Sequence, residues 1–128
     1  METAWQLLSR EHKAPEGVLT DSFIIKFDRY MDWNLLSENY DFSLDMLRMY
    51  FHRVTWSRIL RRKLFTESFL REMAPGFDSA AWEVLSRYQF LSEQFIHDFS
   101  DKVDWDNIAL YQNVSGKFLT EHRYMENE

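Results

Sequence analysis

The chain of 128 residues has no cysteine, only three glycines and two prolines, and no long apolar run. Without cysteine it can build neither a disulfide framework nor a thiol nucleophile. So little glycine and proline disfavours a fold of many β-turns and favours helices. No apolar stretch approaches the ~18 residues of a membrane span, and the N-terminal METAWQLLSREH lacks the basic start and apolar core of a signal peptide. We therefore expect a cytoplasmic protein without a membrane partner.

What the chain does have is material for a core, since 45% of its residues are hydrophobic and 17% are aromatic. A chain of this length buries enough surface to fold without a disulfide or a metal. The sequence predicts a single domain over residues 1–122, followed by a polar C-terminal tail at 123–128.

Five tryptophans mark an internal repeat. They are spaced 28, 23, 26 and 23 residues apart, at Trp5, Trp33, Trp56, Trp82 and Trp105. Positions are numbered from each tryptophan, so that +3 is the third residue after it. Apolar residues recur at +3, +13 and +14, and serine or threonine recurs at +10, once five inserted residues in the first repeat are left out. The two longer spacings are explained by insertions around HKAPEG and APGFDSA, which contain proline and glycine as loop insertions should. The pattern predicts a repeat of about 23 residues.

Each repeat has the pattern of a helical hairpin. Asp32, Thr55 and Asp104 directly precede a tryptophan and suit the N-cap of a first helix. The residue at +10 should cap a second helix, and the acid that often follows it (Asp21, Glu67, Glu93) suits the positive end of the helix dipole. One hairpin cannot bury both apolar stripes, so neighbours must stack. We expect an all-α, short solenoid-like stack of about five helical hairpins, with the tryptophans in its core; the alternative is an exposed platform on which bases stack.

The frame W-x-x-[IL]-S-x-x-[YH]-x-[LF]-[ST]-E-x-F-[IL]-x-x-F resembles a short tryptophan repeat in uncharacterised proteins of large DNA viruses and bacteriophages. SRYQFLSEQFIHDFSDKVDW is the stretch nearest to that frame, and LYQNVSGKFL follows it. The third repeat departs most, with LRRKLFTESF. The resemblance implies a viral or phage origin, a helical array and the cytoplasm of a host cell. It implies no catalytic residue.

Charge is distributed unevenly along the chain. Residues 53–77 hold six bases and two acids, net +4, whereas 1–52 carry net −4 and 78–128 carry net −6. The bases are either a solvated face or a docking patch for an acidic protein surface or a phosphate. The candidate partner-binding residues are Arg53, Arg58, Arg61, Arg62, Lys63 and Arg71. An alternative acidic surface, which would imitate nucleic-acid phosphates, is Asp98, Asp101, Asp104, Asp106 and Glu121. The net charge of −6 disfavours direct nucleic-acid binding.

No catalytic motif stands out, and we expect neither an enzyme nor a cofactor. None of the four histidines lies in an HExxH motif, and no phosphate-binding or nucleophile-elbow motif is present. Glu93, His97 and Asp101 are spaced four residues apart and could share one helix face. They would bind a metal only if a neighbouring repeat added a ligand.

These observations favour a non-enzymatic protein-binding module. The resemblance implies that it is a viral or phage protein that inhibits or redirects a host protein, for instance in a defence system such as CRISPR. One alternative is an acidic mimic that occupies the DNA or RNA groove of a host protein. Another is a small nucleotide-ligand binder that uses the basic third repeat.

Overall fold

The structure, a computed structural model, describes residues 3–10 and 19–124. Over these two ranges the chain forms ten α-helices and no β-strand, so the all-α prediction is confirmed. Eight of the ten helices have only six or seven residues, and isolated helices this short are not stable in water. The helices are α1 (Ala4–Arg10), α2 (Asp21–Lys26), α3 (Trp33–Asn39), α4 (Leu44–Met49), α5 (Trp56–Arg62), α6 (Glu67–Met73), α7 (Ser79–Tyr88), α8 (Glu93–Asp98), α9 (Trp105–Tyr111) and α10 (Gly116–Leu119).

Shorter elements complete the backbone. Asp28–Tyr30 and Ala74–Gly76 are 3₁₀ turns, and Thr120–Tyr124 is a π-helical segment. The HKAPEG insertion and positions 125–128 of the predicted tail lie outside the described residues. Among the helices in the described ranges, none combines the length and the hydropathy needed to cross a bilayer.

The contacts within the chain group into two compact units, Met1–Ile59 and Leu60–Glu128, here unit 1 and unit 2. The boundary falls inside α5, and the single domain over 1–122 stays a prediction. In unit 1, α1 packs against α3; in unit 2, α7 packs against α9. In each unit, therefore, the tryptophan-bearing helices of successive hairpins pack against one another.

The helix caps follow the sequence pattern closely. The serine or threonine at +10 caps the second helix in all five repeats, and its hydroxyl accepts the N–H of the third residue after it. Asp32 and Asp104 cap α3 and α9 as predicted, while Thr55 precedes α5 and its hydroxyl donates to Asn34 Oδ1. The fourth repeat differs: α7 begins at Ser79, capped by Asp78, three residues before Trp82. The end of the APGFDSA insertion therefore lengthens a helix instead of forming only a loop.

Trp33 and Trp82 each pack against an aromatic ring later in their own hairpin. Trp33, Trp56 and Trp82 are buried, which confirms the core prediction for them, whereas Trp5 and Trp105 are half-buried. The Trp82 ring centroid lies 5.3 Å from that of Phe99, and the Trp33 centroid lies 4.6 Å from that of Tyr50. Both partners occupy +17, so the hairpin closes as an aromatic pair between its two helices.

Buried serines connect one hairpin to the next. Ser9, Ser37 and Ser86, all at +4, are completely buried. The hydroxyls of Ser9 and Ser37 donate to the carbonyl four residues earlier, at 2.7 Å. Each of the three accepts the N–H of the residue before the next tryptophan-bearing helix: Asp32 at 3.0 Å, Thr55 at 2.8 Å and Asp104 at 2.9 Å. One small side chain thus satisfies a backbone group in the neighbouring hairpin.

Two glutamines at +7 connect the hairpins of unit 2. Gln89, which is 1% exposed, donates from Nε2 to the carbonyls of Leu60 (2.8 Å) and Lys63 (2.7 Å). Its Oε1 accepts the N–H of Phe65 at 3.0 Å. Gln112 is equivalent: it donates to the carbonyls of Ser86 and Gln89 and accepts the N–H of Leu91. These bonds satisfy carbonyls that the end of a helix leaves without an intrahelical partner.

The acids at +11 were predicted to interact with the helix dipole, and the structure gives them a further role. Glu67 accepts the N–H and the hydroxyl of Ser92, both at 2.8 Å. Glu93 accepts the N–H of Ser115 at 2.8 Å, and Asp21 accepts the Tyr40 hydroxyl at 2.5 Å. Each acid therefore bonds to the following hairpin within its unit.

The buried tryptophan predicts a large loss of stability on truncation. Trp82→Ala should lower the free energy of unfolding by about 3–5 kcal/mol, because it leaves a cavity among aromatic rings. Ser92→Ala should cost only about 0.5–2 kcal/mol, the usual size of a lost helix cap. Urea unfolding followed by circular dichroism measures both. A near-neutral Trp82→Ala would show that this ring is not part of the core.

The glutamine bonds predict a second contrast. Gln89→Leu should cost about 2–4 kcal/mol, because two carbonyls and one N–H lose their partner in a buried place. Gln112→Leu is the matched control and should cost less, because Gln112 is only half-buried and water can replace its bonds. Equal losses in the two variants, measured by the same urea titration, would contradict this account of Gln89.

Candidate functional site

Arg53, Arg58 and Arg71 interact with acids or aromatic rings of the fold. In unit 1, Arg58 pairs with Glu38, and the Arg53 guanidinium lies 5.1 Å from the centroid of the Trp33 ring. In unit 2, Arg71 pairs with Asp98 at 2.8 Å and lies 5.2 Å from the centroid of the Phe95 ring. Hydrogen bonds from Arg71 and Gln94 hold the pKa of Asp98 below its usual range. These arginines contribute to the fold, as a solvated and paired face would.

The other three bases lie together at the end of α5 and the start of the turn after it. Arg61 and Arg62 are exposed in the last turn of the helix, where cations are favoured by the helix dipole. Lys63 is half-buried, and its Nζ lies 5.9 Å from the centroid of the Phe65 ring. All three belong to unit 2.

The candidate acids also divide into two groups. Asp98 is paired with Arg71, and Asp104 caps α9 through the N–H of Asn107. Glu121 lies 4.0 Å from Lys117, and Asp101 and Asp106 are exposed. Asp98 and Asp104 are thus engaged in the fold.

Exposed apolar side chains of unit 2 were missed by the sequence analysis. Phe90 is 78% exposed, Leu110 is 73% exposed and Leu64 is 56% exposed. Leu64 and Phe90 both occupy +8, in the turn between the two helices of a hairpin. The signal was available: hydrophobic residues at a repeated turn position, outside the buried stripes, have no role in a hairpin core.

The Gln89 bonds bring these exposed residues alongside the bases. Gln89 holds the carbonyl of Lys63 and the N–H of Phe65, the two residues that flank Leu64. Phe90 follows Gln89 directly in the chain. The turns that carry Leu64 and Phe90 are therefore adjacent, and the bases of α5 border them.

Two tyrosines and an arginine of unit 2 are also exposed, and Arg87 and Tyr88 directly precede Gln89 in the chain. The Arg87 guanidinium lies 5.0 Å from the Tyr88 ring centroid and 4.6 Å from that of Tyr111, and both tyrosines are partly exposed. Cation–π contacts of this kind hold an arginine in place while leaving donor groups available. The resulting set, named the turn surface, is Arg61, Arg62, Lys63, Leu64, Arg87, Tyr88, Phe90, Leu110 and Tyr111.

Glu93, His97 and Asp101, which share the spacing of one helix face, do not form a three-ligand group. No cluster of three or more histidines and acids suited to a metal occurs in the described part of the chain. Glu93 is engaged with the N–H of Ser115. His97 instead faces His122, with Nδ1 and Nε2 3.3 Å apart.

The chain is similar to a viral protein. It is 26% identical over 97 residues, 75% of its length, to an uncharacterised 54.7 kDa protein in the IAP1-SOD intergenic region of the Autographa californica nuclear polyhedrosis virus. The matched region is 19% of that protein, so the chain spans about a fifth of the length of the curated relative it matches. No family model and no solved structure matches the chain. This similarity supports the viral origin that the tryptophan-repeat resemblance implies.

Proposed function

We propose that the chain is a solenoid-like array of five helical hairpins that works as a non-enzymatic, viral protein-binding module acting on a host protein. The array is supported by five equivalent caps at +10 and by serine bonds at three +4 positions. Inhibition of a defence system such as CRISPR is a finer form of this proposal, and the similarity to a viral protein supports only its viral part.

The contact region in this proposal is the turn surface, and the exposure of Phe90 is the observation that carries it. Every other phenylalanine whose side chain the structure describes is buried or half-buried, whereas Phe90 is 78% exposed. Burying a phenylalanine side chain is worth about 1.5–3 kcal/mol. Phe90 lies at a turn, with Leu64 in the neighbouring turn. Its burial by a partner would therefore stabilise the complex by this amount, because folding alone leaves the ring exposed.

The surroundings of Phe90 define the partner's chemistry. Arg61 and Arg62 lie at the end of the helix that leads to Leu64, and Arg87, three residues before Phe90, lies over the Tyr88 ring. Arginine and aromatic residues are the types most enriched in the energetic centres of protein interfaces. The matching surface is an apolar pocket with carboxylates at its rim, which accept bidentate hydrogen bonds from arginine. Such a rim also speeds association at low salt.

The two alternatives find less support. An acidic mimic would need free carboxylates, yet Asp98 and Asp104 have bonds within the fold. A nucleotide binder would use the arginines of the third repeat, yet Arg58 and Arg71 are paired with carboxylates. The turn surface takes Arg61, Arg62 and Lys63 from the basic third repeat and adds Arg87 and the exposed apolar side chains beside them.

The proposal predicts that Phe90→Ser and the double reversal Arg61→Glu/Arg62→Glu each weaken partner binding at least about tenfold, or 1.4 kcal/mol. The partner is first isolated from a host-cell lysate on immobilised wild-type protein and identified by mass spectrometry. Its affinity for each purified variant is then measured by calorimetry. Binding of the wild type should also weaken as salt is added.

Two matched controls accompany these variants. Met49→Ser removes another exposed apolar side chain, 60% exposed in unit 1, and should not change the affinity. Asp101→Lys/Asp106→Lys reverses two exposed acids of unit 2 and should not weaken binding. If only the acidic reversal abolishes binding, the mimic explanation replaces this one. If Phe90→Ser binds as well as the wild type while remaining folded, the turn surface is not the interface.

A further inference from the structure

The two histidines at the C-terminal side of unit 2 face one another with their ring nitrogens. His97 Nδ1 and His122 Nε2 are 3.3 Å apart, and the ring centroids are 5.0 Å apart. His97 lies in α8 and is exposed, while His122 lies in the π-helical segment and is half-buried. From these facts we propose that the pair is a binding site for a zinc ion, beyond the protein-binding role.

The separation of the two nitrogens fits this ion. A zinc ion with tetrahedral geometry binds imidazole nitrogens at ~2.0–2.1 Å, which places two such nitrogens about 3.3–3.4 Å apart. The same separation allows one N–H···N hydrogen bond between two neutral rings. Zinc binding requires that His97 carry its proton on Nε2 and His122 on Nδ1, so that both facing nitrogens present lone pairs.

The His122 ring is held in place for this role. It occupies +17 of the last repeat, where the second and fourth repeats have the aromatic residues Tyr50 and Phe99. The ring stacks on Trp105 with centroids 5.8 Å apart and an interplanar angle of 20°, and it lies 4.4 Å from the Phe118 ring centroid. A ligand fixed by aromatic packing loses little conformational freedom when it binds a metal.

The local charge favours a cation. Residues 78–128 carry ten acids and four bases. Asp98 directly follows His97 and is paired with Arg71. Glu121 directly precedes His122 and is paired with Lys117. Such a field raises the local concentration of cations without binding them specifically. Selectivity comes from the imidazoles, which prefer zinc, nickel and copper to the hard ions magnesium and calcium.

The site has two protein ligands, with water in the remaining positions. Because no third histidine or carboxylate of the described residues joins the pair, it is open and exchangeable. Zinc bound there connects α8 to the segment after α10, and should therefore stabilise this end of unit 2.

The test is zinc binding to the full chain at about pH 7.5, where ordinary imidazoles are neutral. Titration with zinc chloride in a calorimeter should give one site per chain. At ten times the measured Kd, the thermal midpoint should rise by about 3–5 °C. Magnesium chloride at the same concentration should leave the midpoint unchanged. The absence of saturable zinc binding up to about 1 mM, the weak limit of specific affinity, would overturn the proposal.

Three variants assign the site. His97→Gln, at an exposed position, should remain folded and lose at least about tenfold in zinc affinity and the zinc-dependent rise in midpoint. His122→Gln should lose zinc affinity to the same extent. Because this variant also loses ring packing, its thermal midpoint with zinc is compared with the midpoint of the same variant without zinc. His52→Gln, an exposed histidine of unit 1, should bind zinc like the wild type. If the His97→Gln response equals that of the wild type, the ion binds elsewhere and the pair is only a hydrogen bond.

Discussion

The buried serine hydroxyl at +4 is the contact on which the helix packing depends. Helices of six or seven residues cannot persist alone, so each must be held against the next hairpin. Ser86 does this by accepting the N–H of Asp104, the residue that itself caps α9. A larger side chain at this position would separate the helices, and an apolar one of equal size would leave a buried N–H unpaired. Size and hydrogen bonding therefore both favour serine.

The polar bonds between hairpins explain why the turns can present exposed apolar side chains. Gln89 and Glu67 hold neighbouring hairpins of unit 2 through backbone groups. The side chains that flank these bonds, Leu64 and Phe90, are consequently not needed for packing and point outward. A rigid scaffold that presents variable turn residues is the usual arrangement of repeat proteins that bind other proteins. The proposed zinc site also depends on a residue that varies between repeats, since His122 stands at +17, where the second and fourth repeats have Tyr50 and Phe99.

Local signals in the sequence predicted much of this fold. Serine or threonine at +10 directly precedes the helix that it caps, so the sequence alone predicts all five caps. The burial of Trp82 could be predicted in the same way from the apolar pattern. The serines at +4 were noted in the pattern without a role, because their partner amides lie 18 to 23 residues further along the chain. Pairing of Arg71 with Asp98 across 27 residues was hidden for the same reason. Exposure of Phe90 could not be deduced from hydrophobicity alone, which favours burial.

The central claim is that buried serines join successive hairpins, and amide hydrogen exchange at Asp104 tests it most directly. Asp104 precedes its helix, so its N–H would exchange quickly unless Ser86 accepts it. We expect slowing of at least about tenfold relative to an unstructured amide, lost in Ser86→Ala while the amide of Ile108, inside α9, stays protected. Fast exchange at Asp104 in the folded wild-type protein would contradict the account.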